Sequence, residues 1–322
     1  MALEIGIVGL RGSGKTTLFN ALTGAGVEAQ TYLGGAPKPN VGVAPVVDDR
    51  LPRVASVVGS ARTTPAAIRV VDIPGSDAAL MGGLRQVDAL VAVLDAFNTS
   101  SDPQADLETV KLELLVADRD HVERRLERVS RQAKSGDAAL RRDVAELQQL
   151  LAHLEAGNTL EAYGESLLPE LQPLTTKTLL PVANGPSGID CKLEAELAEL
   201  DPAEAASFRE GPSALEEVVR RVFDELATIS FFTANEREAR AWNLRSGVTA
   251  LQAAAAIHTD MAQGFIRCEV VHWSDLVESG SRAEAARQGL QRLEGKDYPV
   301  EDGDLLSIRF SPPAPRGRSS SS

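Results

Sequence analysis

Short apolar runs alternate with glycine-rich turns and amphipathic stretches along the first two thirds of the chain. Buried strands are predicted at 3–9, 68–73, 89–94 and 179–183, because a continuous apolar run of this length is typical of a strand covered on both faces. A helix is predicted from Thr16 to Thr23, directly after the first glycine-rich turn. Strands that alternate with helical segments indicate an α/β fold with a parallel sheet.

A heptad pattern interrupts this alternation between about 102 and 171. Its apolar positions, spaced 4-3-4, fall into two runs separated by a turn at 134–137; they are Val122, Leu126, Val129 and Ala133, then Leu140, Val144, Leu147, Leu151 and Leu154. Two helices with such a seam and a short loop predict an antiparallel helical hairpin, or coiled-coil arm, inserted into the sheet domain. We expect its charged outer face, including Arg124 and Arg128, to be solvated rather than to bind a partner.

The pattern changes again after Glu225. Four further strands are predicted, at 229–232, 239–244, 265–271 and 305–310. A helix is predicted from Thr249 to Ile257, with Thr249 as its N-cap. These elements form a small mixed α+β module, and the Pro/Ser/Arg-rich tail after it is expected to be disordered.

The predicted domain boundaries follow from these changes of pattern. The domains are a nucleotide-binding domain at 1–101 and 172–226, the inserted arm at 102–171, the C-terminal module at 227–311 and the tail at 312–322.

Composition limits the classes of partner and the compartment. The formal net charge is −13, which argues against a broad nucleic-acid surface, and no sequence-specific DNA binding is expected. Glu4 interrupts the N-terminal apolar run, so no signal peptide is expected, and no run is long enough to span a membrane. Cys191 and Cys268 are expected to be free thiols, as in a reducing cytoplasm.

The most specific motif is G-x-x-x-x-G-K-[ST], which is complete from Gly9 to Thr16. Its glycines let backbone N–H groups surround phosphates, Lys15 neutralises β/γ-phosphate charge, and the Thr16 hydroxyl ligates Mg²⁺. The predicted nucleotide-binding residues are Gly9, Arg11, Gly12, Ser13, Gly14, Lys15, Thr16, Thr17 and Asn184.

Asp72 is the second predicted Mg²⁺ residue. It ends a buried strand and begins Asp72-Ile73-Pro74-Gly75, and P-loop enzymes hold the ion with an acid placed in this way. Asn184 ends the strand that carries the base-reading residues in GTPases. GTPases have an aspartate three positions later, where this chain has Ser187. Without that carboxylate we expect poor selectivity for guanine.

Several further segments resemble the Obg-like ATPases, the YchF family. The resemblance covers nearly the whole chain, and its most specific parts are Leu18–Thr23, Pro39–Val43, Asp106–Val110, Glu194–Leu200, Phe231–Ala234, Glu238–Trp242, Ile257–Asp260, Gly264–Arg267 and Glu294–Tyr298. It implies a P-loop G-domain, a coiled-coil arm and a TGS domain with a ubiquitin-like β-grasp fold. It also implies preferential ATP binding, slow hydrolysis, and association with the ribosome or another large ribonucleoprotein.

The chain departs from the family pattern around the phosphates. Gly12 replaces an asparagine, Ala36 lies where the first switch has a threonine, Ser76 follows Gly75, and the second switch is short. No catalytic residue is evident, and Arg11 is the one candidate, as an arginine finger in cis. Three alternatives therefore stay open: a slow ATPase switch, a nucleotide-binding adaptor without hydrolysis, and a GTPase. A purely structural protein is disfavoured because Lys15, Thr16 and Asp72 are intact.

Overall fold

A computed structural model describes residues 3–24, 39–73, 81–98, 100–164, 167–186, 188–208 and 213–311. The chain divides into two compact units. The first comprises Glu4–Ala44 and Arg69–Val222; the second comprises Pro45–Ile68, Phe223–Ser322 and Met1–Leu3. The tail at 312–322, expected to be disordered, lies outside the described residues.

The strands are numbered in chain order. They are β1 (Glu4–Val8), β2 (Asn40–Val46), β3 (Thr63–Thr64), β4 (Ala66–Asp72), β5 (Ala89–Asp95), β6 (Thr178–Asn184), β7 (Thr228–Ala234), β8 (Ala239–Arg245), β9 (Phe265–His272), β10 (Arg292–Glu294) and β11 (Asp304–Phe310).

The helices follow the same convention. They are α1 (Lys15–Thr23), α2 (Arg50–Val58), α3 (Pro103–Gln132), α4 (Ala138–Glu155), α5 (Cys191–Ala198), α6 (Pro202–Ser207), α7 (Ala214–Glu225), α8 (Ala250–Ile257), α9 (Thr259–Gln263), α10 (Trp273–Ser279) and α11 (Arg282–Arg287). Short 3₁₀ helices lie at Gly82–Gln86, Ala133–Ser135 and Leu160–Ala162.

The first unit is built on a five-stranded sheet in the order β2-β4-β1-β5-β6. β1 pairs in parallel with β4 and β5, and β5 pairs in parallel with β6. The four strands predicted in this unit are confirmed, and β5 is buried almost throughout, as its continuous apolar run requires. The fifth strand, β2, is not predicted by the sequence pattern, because Val41 and Val43 are exposed and glycine and proline interrupt its run.

The predicted hairpin is present as α3 and α4, joined by a short 3₁₀ turn. Asp102 caps α3 by accepting bonds from two backbone N–H groups, and Asp137 caps α4. The buried seam includes Val122, Val129 and Leu147. The heptad pattern misses one buried residue of the seam, Leu150.

The second unit contains a six-stranded sheet in the order β10-β9-β11-β7-β8-β3. β7 and β8 form an antiparallel hairpin, α8 follows, and β11 returns parallel to β7. A hairpin, a helix and a parallel return strand are the arrangement that a β-grasp fold requires. Thr249 caps α8 in a capping box with Gln252, which confirms the predicted N-cap.

The grouping of Pro45–Ile68 with the second unit differs from the division expected from sequence, which placed these residues in the nucleotide-binding domain. The physical reason is packing: α2 lies against β7, β8 and α10. Arg50, the first residue of α2, binds Asp302 at 2.6 Å. Such contacts join residues about 250 positions apart, so local patterns do not show them.

Among the residues that the structure describes, no helix combines the length and the apolar character needed to cross a membrane.

Candidate nucleotide-binding site

The predicted phosphate-binding loop connects the buried end of β1 to the N-terminus of α1. Two of its glycines are required by close approach and by positive φ. At Gly9 (φ 147°) an added Cβ would lie 2.4 Å from the Val93 carbonyl oxygen, and at Gly14 (φ 99°) it would lie 2.1 Å from the Asn184 amide nitrogen. A side chain would meet the backbone of β5 at Gly9 and the side chain of Asn184 at Gly14, and both positions have a positive φ that favours glycine. The glycine spacing of the motif is therefore a packing requirement of this fold.

Lys15 begins α1 and is 8% exposed. Its Nζ donates to the carbonyl oxygens of Gly9 (2.8 Å) and Leu10 (2.9 Å), so the ammonium group is held under the loop. Burial lowers the pKa of Lys15, and the negative charges of Asp72 and Glu113 oppose that shift. The structure therefore places a buried cation at the position where the motif predicts a phosphate-binding lysine.

Thr16 and Asp72 meet at the edge of the sheet. The Thr16 hydroxyl donates to Asp72 Oδ2 at 2.9 Å, and the Asn40 side-chain amide donates to the same oxygen at 3.1 Å. Asp72 is fully buried, and its second oxygen, Oδ1, has no hydrogen-bond partner among the described residues. A buried, unpaired carboxylate oxygen beside a threonine hydroxyl fits Mg²⁺, a hard cation that takes oxygen ligands.

Asn184 lies against the phosphate-binding loop. Its Nδ2 donates to the Ser13 carbonyl oxygen at 2.8 Å, and its Oδ1 accepts from the Cys191 N–H at 3.2 Å. The side chain therefore ties the end of β6 and the start of α5 to the loop. Its predicted contact with a base stays a prediction, and Ser187 lies outside the described residues.

The remaining predicted residues differ in exposure. Ser13 is 2% exposed, and its hydroxyl has no hydrogen-bond partner among the described residues. Thr17 is half-buried on α1, whereas Arg11 and Gly12 are exposed at the tip of the loop. Ala36 and Ser76 fall outside the described residues, so the predicted roles of both switch segments stay predictions.

Two residues near the site are not predicted from the sequence. Asn40 enters the sequence pattern only as part of a family segment, and in the structure it donates to Asp72. Glu113 on α3 is close enough to interact electrostatically with Lys15, and its Oε2 is buried without a hydrogen-bond partner in the described part of the chain. Burial raises the pKa of Glu113, while Lys15 lowers it. Neither interaction has a local signal, because each joins segments far apart in sequence.

The chain matches known proteins over nearly its whole length and over the whole of theirs. A curated protein of Bacillus subtilis named "Ribosome-binding ATPase YchF" is 36% identical over 97% of this chain and 100% of its own length. A protein of the same name from Haemophilus influenzae is 34% identical over the same shares. The chain belongs to the YchF family.

Family models match both ends of this YchF-family chain. Residues 4–140 match the model described as "50S ribosome-binding GTPase", and residues 228–311 match a YchF GTPase C-terminal model described as "Protein of unknown function (DUF933)". The solved structure of the Schizosaccharomyces pombe YchF GTPase has the same fold. It aligns with a TM-score of 0.74 at 23% identity, over 95% of this chain and 97% of that chain.

Proposed function

We propose that this YchF-family chain binds ATP with Mg²⁺ at the P-loop, hydrolyses it slowly and acts as a ribosome-associated switch in the cytoplasm. The observation that carries the proposal is the proximity of two buried charges, Lys15 and Asp72, with the Thr16 hydroxyl hydrogen-bonded to Asp72. Ribosome association is supported by the curated relatives, which are named ribosome-binding ATPases and match over their full length.

Different residues of the site would bind the phosphates and the Mg²⁺ ion. Lys15 would leave the carbonyl groups of Gly9 and Leu10 for phosphate oxygens, and the N-terminus of α1 would add its partial positive charge. Thr16 and Asp72 would hold Mg²⁺ through the hydroxyl and the free carboxylate oxygen. The bound ion supplies neutralisation of β- and γ-phosphate charge.

Slow hydrolysis is expected because the chain supplies binding without a visible water-positioning group. Ser76 stands where Ras-like enzymes place a glutamine, and Ala36 has no hydroxyl to close the first switch. Multiple-turnover phosphate release at saturating ATP and Mg²⁺, with Lys15→Ala as the blank, measures the rate. We expect phosphate release far below one turnover per second without a partner. A well-placed arginine finger would raise that rate by about 10³ to 10⁵. A rate of several per second, lost in Lys15→Ala and lowered by Arg11→Ala, would assign catalysis to Arg11.

Two alternative functions have specific support. The altered switch residues favour an adaptor that binds nucleotide without hydrolysis, and phosphate release indistinguishable from the blank would establish it. The family description of a GTPase favours GTP, but the chain lacks the aspartate that pairs with guanine. Sites built around such polar contacts discriminate by about 10⁴, so GTP binding a thousandfold tighter than ATP would decide for the GTPase.

A further inference from the structure

The distal arm carries a charge opposite to that of the whole protein. The chain has a net charge of −13, yet residues 124–142 contain seven lysine or arginine side chains and two acidic ones. A mixed surface gives solubility without such a cluster, so a local cationic segment on an acidic chain indicates a surface selected for an anionic ligand.

The structure arranges most of these cations around the end of the hairpin. Their side chains are exposed, and we call this set the basic tip: Arg124, Arg128, Arg131, Lys134, Arg141 and Arg142. The three arginines of α3 recur at i, i+4 and i+7, which places them on one face of the helix. Lys134 lies in the 3₁₀ turn, and the last two begin α4. The cations thus continue from one helix to the next around the turn.

No described carboxylate forms an ion pair with a residue of the basic tip. Arg131 and Arg142 donate from Nε to backbone carbonyl oxygens of their own helices. Arg124 and Arg128 form no ion pair with any described carboxylate, and they repel each other at i, i+4. By contrast, Arg125 lies outside the basic tip and pairs with Glu170 at 2.6 Å. On the charged outer face of the arm, Arg125 is therefore paired with a carboxylate, whereas Arg124 and Arg128 have no ion-pair partner among the described residues.

The basic tip contributes little to the folding of the arm. The hairpin is held by its apolar seam, in which Val122, Val129 and Leu147 are at most 1% exposed. Arg124 and Arg128 repel each other, and no ion pair among the described residues offsets that cost. An anionic partner would remove that cost.

The chemistry of the surface favours phosphate over an acidic protein. Five of the six cations are arginines, whose planar guanidinium groups bind phosphate in a bidentate manner. The buried centre of a protein–protein interface is typically enriched in apolar and aromatic residues. No large hydrophobic residue between 123 and 142 is exposed among the described residues, and this stretch contains no aromatic residue.

We propose that the basic tip docks on the phosphate backbone of structured RNA, without reading base sequence. This inference rests on the proposed ribosome association and gives it a binding surface and a ligand chemistry. Recognition through phosphates predicts affinity that falls steeply with salt and depends little on sequence.

The test uses the full-length chain and a fluorescently labelled RNA duplex of arbitrary sequence. Binding is followed by anisotropy at several salt concentrations for the parent, for R124Q/R128Q and for the control R221Q/R237Q. The control also removes two exposed arginines, but from outside the arm. We expect R124Q/R128Q to weaken RNA binding about tenfold or more and to reduce the salt slope by roughly two, about one for each phosphate that no longer binds an arginine. ATP affinity should be unchanged, which shows that the variant is folded.

Three outcomes are informative. RNA binding in R124Q/R128Q equal to that of the control overturns the proposal. Loss of ribosome co-sedimentation with unchanged RNA binding also overturns it, because the tip then binds a ribosomal protein. If the parent binds RNA through the tip but does not co-sediment with ribosomes, the inference stands and the proposed ribosome association fails.

Discussion

The buried positive charge of Lys15 is stabilised by neighbouring groups of the protein itself. Its ammonium group bonds to two loop carbonyl oxygens, and Asp72 and Glu113 supply the nearby negative charge. Asp72 has a proposed task toward Mg²⁺, whereas Glu113 has a buried oxygen without a hydrogen-bond partner in the described structure and no proposed ligand. A nucleotide brings further negative charge to the same place, so Glu113 should oppose its binding.

Replacing Glu113 with glutamine is therefore expected to tighten ATP binding. Removing one carboxylate from the surroundings of Lys15 at partial burial is worth on the order of 1 kcal/mol, or about fivefold in affinity. Titration calorimetry of Glu113→Gln against the parent measures the change. Glu123→Gln, at an exposed position further along the same helix, is the control and should leave the affinity unchanged. Weaker ATP binding in Glu113→Gln would show that Glu113 assists the nucleotide instead.

At this scale, the residues that sequence predicts are those that belong to one continuous motif. The residues from Gly9 to Thr16 are recognised by their spacing within one short segment, and Asp72 is the last residue of a strand that the apolar pattern predicts. Asn40 and Glu113 could not be predicted as neighbours of the site, because only the folded sheet and α3 bring them there. For Asn184, sequence predicts the location but not the two bonds that tie it to the loop and α5.

The element that links the sheet to the arm is α3. Its first half packs Val110 and Leu114 into the core of the sheet, and its second half packs against α4. Between the two halves, Asp118 forms a buried ion pair with Arg85 at 2.6 Å and accepts further bonds from Leu174 and Thr175. This cluster fixes the root of the arm to the segments on either side of it.

Breaking that ion pair should destabilise the fold strongly. Asp118→Ala leaves Arg85 buried without its carboxylate, which typically costs about 3–5 kcal/mol. Urea unfolding followed by circular dichroism measures the loss. Replacing both partners, as in R85M/D118L, should recover part of the stability, because the pair is then replaced by apolar contacts. A single Asp118→Ala variant as stable as the parent would contradict this account of the arm's root.

Sequence periodicity predicts some of the helices and strands and misses others. The heptad seam locates both arm helices, because coiled packing imposes a period that survives in the sequence. The pattern does not predict α2 or β2, since their burial depends on strands contributed by distant parts of the chain.

On the scale of the molecule, the chain forms two units whose sequences are interleaved. The P-loop unit contains Lys15, Thr16, Asp72 and Asn184, together with the arm. In the distal arm the seam packs within the hairpin and the segment that follows it. The predicted nucleotide site and the distal arm thus lie in separate parts of one unit.

Removal of the distal arm should separate these two activities. Deleting 124–146 and closing the gap with a short glycine linker keeps Asp118 and the root of the arm. ATP affinity is expected to stay within about twofold of the parent value, because none of the residues in the site is removed. Ribosome co-sedimentation should fall severalfold or more. Unchanged co-sedimentation in the deletion variant would rule out a ribosome contact made by the arm.

The central claim is that Lys15 lies in a functional phosphate site, and calorimetric titration of ATP and Mg²⁺ tests it most directly. The parent, Lys15→Ala and the control Lys192→Ala are compared, the control removing an exposed lysine of α5. We expect Mg²⁺-dependent binding by the parent and by Lys192→Ala. We expect no detectable binding by Lys15→Ala, with an unchanged circular dichroism spectrum. A folded Lys15→Ala variant that binds ATP as tightly as the parent would contradict a functional phosphate site at Lys15.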